Sequence, residues 1–228
     1  MIRALAHVIS ICFHPLVLFI ALLWTGYLID PYDYSLSSAH DVSVTAIMSV
    51  AILFVIPVVT VLMMKGLGFI KSLRMEDPKE RIGPMIASII CYVWFYVNMK
   101  SNANIPSSFL VLALGGCIAL AIAFFINNFS KISLHTTGAG AFVAGVIILI
   151  SVRTNEIIDI TLFGSIWQLH PMILIMAAIV IVGLIGTSRL ILEAHKPVDI
   201  YGGYLVGIIS LLIAYRICLL YTSPSPRD

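Results

Sequence analysis

The chain has 228 residues, of which 61% are hydrophobic and 11% charged, with a net charge of +2. A soluble domain is about half apolar and about a quarter charged, so this composition excludes an ordinary soluble domain, and also a disordered or collagen-like chain. No basic tract points to nucleic acid. The four cysteines, Cys12, Cys91, Cys117 and Cys218, lie in apolar stretches without metal-ligand spacing.

Apolar runs follow one another at 4–28, 43–64, 82–99, 107–127, 136–152, 170–187 and 200–217. Each is long enough, or nearly so, to cross a hydrocarbon core as a helix of about 20 residues. The expected fold is all-α, a polytopic transmembrane helix bundle of six or seven spans forming one domain over residues 1–217. The first run is too long for a signal peptide. His14-Pro15 interrupts it, and a kink with a satisfied imidazole is expected there. The run at 82–99 is short and holds Tyr92, Trp94 and Tyr96, which suggests a partly interfacial segment. The stretch 153–169 reads as a loop. The string from Cys218 to Asp228 resembles translated sequencing-adapter read-through and is expected to be a non-native tail.

Polar residues are costly in such a chain, so their clustering carries information. They concentrate at 71–81, 127–138 and 187–199, all at span ends. Two apolar runs separate each cluster from the next. An even number of crossings returns the chain to the same face, so all three clusters are expected on one aqueous side. In the first, Asp77-Pro78-Lys79-Glu80 reads as an N-cap, a proline at the first helical position and a capping-box glutamate. Arg74 and Arg81 flank it and suit an anion clamp. In the second, Ser133 and His135 precede Thr136-Thr137-Gly138 at a helix start, where free N–H groups favour an anion. In the third, His195 and Asp199 stand four apart, so a shared helix face would let the carboxylate orient the imidazole. Pro197 between them points instead to the start of a helix. Ser188 lies two helical turns before His195, and Arg189 adds a permanent cation.

Two histidines, an orienting carboxylate and three arginines suit phosphoryl transfer without a metal or other cofactor. No set of ligands stands at familiar metal spacing. The pattern resembles the type 2 phosphatidic-acid phosphatase family, whose three motifs read Lys, six residues, Arg-Pro; then Pro-Ser-Gly-His; then Ser-Arg, five residues, His, three residues, Asp. Ser188-Arg189, His195 and Asp199 match the third in full. Ser133-Leu134-His135 keeps the serine and histidine of the second, with Ile132 and Leu134 in place of proline and glycine. Arg74 and Arg81 match the first with arginine for lysine, and Ile82 replaces the proline. The resemblance covers about residues 65–205 and is nearest the small bacterial membrane branch.

That resemblance implies a membrane lipid phosphatase acting on a phosphate monoester or diphosphate, of the phosphatidic acid, phosphatidylglycerol phosphate or polyprenyl diphosphate class. It implies His195 as the nucleophile forming a phosphohistidine, Asp199 as its orienter, and His135 as the acid for the leaving group. Arg74, Arg81, Ser133 and Arg189 would hold phosphate. Lipid phosphates and membrane lipids are then the expected partners, and a bacterial inner membrane the expected location. The alternatives are a lipid phosphotransferase and a non-catalytic lipid-binding or transport protein on a degenerate phosphatase scaffold. Nine Lys and Arg residues lie on the motif side and three on the other, which leans the site toward the cytoplasm. Gly115-Gly116 and Gly138/Gly140 are expected to serve close helix packing.

Overall fold

The computed structural model describes residues 1–29, 39–73, 75, 77–152, 157–162 and 165–222. Helices α1 (Ile2–Cys12) and α2 (Pro15–Ile29) meet at a 54° bend. Pro15 has no N–H with which to continue the ladder, and the His14 Nδ1 accepts the Leu16 N–H at 3.4 Å, capping the new helix. Helix α3 (Ala39–Val50) runs through a π-helical turn (Ala51–Val55) into α4 (Ile56–Gly66). The widened turn lies just before Pro57, whose ring would clash with a carbonyl one α-turn back.

A 3₁₀ turn (Pro78–Arg81) leads into α5 (Ile82–Lys100), followed by α6 (Ser107–Asn127) and α7 (Leu134–Ser151). A hairpin of β1 (Ile158–Leu162) and β2 (Ser165–Leu169) precedes α8 (Pro171–Ile191) and α9 (Pro197–Thr222). Six helical stretches are long and apolar enough to cross a membrane, and the bent α1–α2 pair makes a seventh if counted as one span. The fold is the expected all-α bundle. Met176, Ile179, Val180 and Leu184 of α8 point outward, as a lipid-facing wall requires.

Small residues set the closest helix approach. A Cβ on Gly140 of α7 would run into the backbone of Tyr204 in α9, and one on Gly207 of α9 into Thr137 and Ala141 of α7. Without side chains there, the two backbones touch, which is the usual route to tight association in lipid. This crossing lays the start of α7, with the second motif, against the first turns of α9, with the end of the third. The Ser133 N–H donates to the Asp199 carbonyl at 3.3 Å across the same contact.

Two sequence expectations change. Residues 82–99 form a full span, and Tyr92 is buried against Phe19 with ring centroids 4.8 Å apart, rather than interfacial. The supposed loop at 153–169 contains the antiparallel hairpin, paired Ile158↔Leu169 through Leu162↔Ser165. Its alternation of buried Ile158 and Ile160 with exposed Asp159 is the period-two pattern of a half-buried strand. Helix α9 continues past residue 217 to Thr222, and residues 223–228 lie outside the described residues.

Candidate active site

The site forms where the three polar clusters converge. Arg81 is fixed first. Asp77 caps its turn by accepting the Lys79 N–H at 2.9 Å, with Pro78 at the first position. The capping-box glutamate does not reach back. The Glu80 carboxylate instead accepts the Lys71 N–H at 3.4 Å. The Arg81 guanidinium donates through Nε to the Met75 carbonyl at 2.9 Å and through Nη1 to the Ile132 carbonyl at 3.3 Å. Two main-chain acceptors therefore hold it between the first and second clusters. Asn127, at the end of α6, ties the same turn down by donating to the Pro78 carbonyl at 2.9 Å.

The second cluster folds as a helix start. Ser133 is the N-cap of α7, and its hydroxyl accepts the Thr136 N–H at 3.4 Å. Its carbonyl accepts the Thr136 and Thr137 hydroxyls. Ser133 is fully buried by these contacts and is absent from the cavity wall. His135 follows in the first turn. Its Nε2 lies 3.1 Å from the Ser10 carbonyl and 3.4 Å from the Ser10 hydroxyl. A carbonyl can only accept, so Nε2 carries a proton there.

In the third cluster, Pro197 begins α9, so His195 sits in the preceding loop and shares no helix face with Asp199. The loop nevertheless brings them together. Asp199 reaches back from the third helical position to accept the Lys196 N–H at 3.1 Å, the acidic half of a capping box. Its other neighbour is the His195 Nδ1, at 3.5 Å from the same carboxylate oxygen. This contact is an electrostatic one rather than a closed hydrogen bond, and Nδ1 has no hydrogen-bond partner among the described residues. Ser188 faces away from the cavity and donates to the Ile185 carbonyl at 2.7 Å. Arg189 donates through Nη1 to the Ser10 hydroxyl at 2.6 Å, and its buried Nε has no partner among the described residues.

Arg81, His135, Arg189 and His195 all line one cavity of about 430 Å³. Its remaining wall is mostly apolar, including Phe19, Val58, Val61, Met85 and Leu120, and it reaches Tyr92. Tyr92 stands eleven residues beyond Arg81 along the helix, about 16 Å. Burial pushes the His195 pKa down to about 4, and Arg81, Arg189 and Lys131 push the same way against the opposing pull of Asp199. The imidazole is therefore a free base at neutral pH.

Of the residues singled out from sequence, Arg81, His135, Arg189 and His195 come together in the cavity, with Asp199 directly behind His195. Arg74 lies outside the described residues. Sequence reasoning missed two members. Ser10 touches both His135 and Arg189, and His14, besides capping α2, lines the cavity with its ring centroid 5.4 Å from that of His135. The available signal was Ser10 and His14 standing four apart among the few polar side chains of the first run. Among the described residues no three His, Cys, Asp or Glu side chains group as metal ligands.

Residues 122–221 match the family model described as PAP2 superfamily. The matching segment runs from α6 through α9 and carries the second and third motifs, while Arg81 and α1–α5 precede it. The match supports a phosphatase-type hydrolase, here in a multi-pass helical membrane protein. No curated protein and no solved structure gave a significant match to the chain.

Proposed function

We propose that the protein hydrolyses the phosphate monoester or diphosphate headgroup of a membrane lipid through a phosphohistidine on His195. The observation that carries this is one cavity with the guanidiniums of Arg81 and Arg189 and the imidazoles of His14, His135 and His195 on one part of its wall and an apolar slot making up the rest. A headgroup fits the first and a tail the second. Two guanidiniums on a wall whose described lining holds no carboxylate support an anionic ligand.

In this mechanism Asp199 favours the tautomer with the proton on the His195 Nδ1, leaving the Nε2 lone pair free. Nε2 attacks phosphorus, the bond from phosphorus to the lipid oxygen breaks, and its electron pair stays with that oxygen. His135 supplies the proton. It does so as an imidazolium: its Nε2–H stays on the Ser10 carbonyl, and the proton that passes to the lipid oxygen is the one on Nδ1. Water then attacks the phosphohistidine, His135 takes the proton back, and phosphate leaves. Arg81 and Arg189 neutralise the charge that builds on the phosphoryl oxygens. Ser133 contributes through the cap it gives α7, and Arg74 would add a further cation.

Phosphatidic acid, phosphatidylglycerol phosphate and polyprenyl diphosphates all fit this chemistry. The proposed setting is a bacterial inner membrane, with the site leaning to the cytoplasmic face by charge count. A phosphate-release screen across these lipids in detergent tests the proposal. Release is expected from at least one of them and is expected to be inhibited by vanadate. No release from any lipid phosphate would overturn it.

A further inference from the structure

The N-terminal helix places a side chain at the centre of the site although it lies outside both the polar clusters and the segment that matches the family. Ala6 and Ser10, four apart, form the buried face of α1. Small residues there are sufficient to seat α1 on α8, and alanine would pack as well as serine. Packing does not account for the hydroxyl. It stands 2.6 Å from the Arg189 Nη1 and 3.4 Å from the His135 Nε2, while the Ser10 carbonyl accepts that same Nε2–H at 3.1 Å. Ser10 is itself buried, at 8% exposure. One residue thus holds one prong of a phosphate-facing guanidinium and one nitrogen of the second histidine. At the surface, Arg3 pairs with Glu193 at 2.6 Å, so α1 is also fastened to the loop that carries His195.

We propose that Ser10 is a positioning residue of the active site. It fixes the Arg189 guanidinium at the cavity wall, and it keeps His135 from rotating away from the leaving oxygen. It touches no reacting atom. Arginine alone has several rotamers in a cavity of this size, and a guanidinium free to swing would bind the transferring phosphoryl group less well. The hydroxyl acts mainly on Arg189, because Ser10→Ala leaves the main-chain carbonyl to His135.

This inference rests on the phosphatase function proposed above. The experiment uses the full chain in detergent and compares wild type with Ser10→Ala, Ser10→Thr and His195→Ala, using a lipid phosphate that the wild type hydrolyses. Expected for Ser10→Ala is a fall of about ten- to a hundredfold in kcat/KM, the size of one lost hydrogen bond to a charged group. Vanadate inhibition is expected to weaken in a similar ratio and the thermal midpoint to stay within a few degrees of wild type. Ser10→Thr, which restores a hydroxyl, recovers most of the loss. If Ser10→Ala does not fold, Ser10→Cys keeps the packing with a poor acceptor and should show the same loss. Wild-type kcat/KM and vanadate inhibition in the alanine variant overturn the role, as does a loss that threonine fails to restore. An inactive wild type defeats the phosphatase function itself. An inactive His195→Ala beside a fully active Ser10→Ala defeats only the part given to Ser10.

Discussion

Where α7 crosses α9, backbone meets backbone, with Gly140 against the Tyr204 main chain and Gly207 against that of Thr137. Around α1, α2 and α4 the contacts are made by side chains, and an open slot runs between Phe19, Val58, Val61 and Tyr92. The first region has no freedom to shift without a clash, and it holds His135, the Asp199 turn and the His195 loop. The second can repack its side chains at modest cost. The difference assigns each half a task. The glycine crossing keeps the reacting groups within the tight tolerances that positioning requires, while the side-chain wall shapes what is admitted. The family match begins at residue 122 and so covers the first region and not the second.

Substitutions can break this contrast, and the largest effects belong to the rigid side. His195→Ala removes the nucleophile and is expected to lower lipid phosphate hydrolysis by at least about a thousandfold, read as phosphate release from a well-expressed protein. Gly207→Val places a branched side chain against the α7 backbone and should cost about 3 kcal/mol or prevent folding, read as thermal unfolding in detergent. Arg189→Lys keeps the charge but loses the planar fork, and a fall of about ten- to a hundredfold in kcat/KM is expected. On the adaptable side, Phe19→Ala deepens the slot beside Tyr92. Hydrolysis should persist while preference shifts a few-fold toward longer tails, measured across a chain-length series. An equal collapse of activity for every tail length would erase the contrast between the two regions.

The pH dependence sharpens the same point with a smaller effect. The nucleophile must be unprotonated, and burial among cations lowers the His195 pKa from 6.5 to about 4. The acid limb of kcat/KM should therefore fall well below pH 6. Asp199 is the group that pulls this pKa up, so Asp199→Asn should move the limb lower still, alongside a loss of turnover from poorer orientation. Stability runs with the same sign. Between about pH 6.5 and pH 4 the unfolded chain binds a proton that folded His195 refuses. The folded state loses ground as pH falls through that window, which acid titration of the thermal midpoint can follow.

Much of this was readable in the sequence, for physical reasons. Long apolar runs must become helices in lipid, so the bundle followed from composition. Polar clusters at span ends, separated by even numbers of crossings, had to meet on one side, and Arg81, His135, Arg189 and His195 do meet. The one-dimensional pattern stops short where geometry departs from a continuous helix. His195 and Asp199 stand at i, i+4 spacing, and Pro197 does open α9 between them as the sequence indicates; what the sequence does not show is that they meet because the carboxylate caps the turn behind the imidazole. Ser133 looks like a phosphate ligand, but its hydroxyl serves the α7 N–H groups. Ser10 was invisible because a single serine in an apolar helix is ordinary. Only the 54° bend at His14 shows that α1 lies across the site. Tyr92 looked interfacial because tyrosine favours membrane surfaces, and its burial depends on Phe19, 73 residues earlier.

The most direct measurement is to trap the covalent intermediate. Enzyme mixed with a lipid carrying a labelled phosphoryl group and quenched in base should hold an acid-labile, base-stable label on His195. His195→Gln should hold none, and His135→Asn should form the label slowly. Label found on another residue, or undiminished in His195→Gln, would contradict the account.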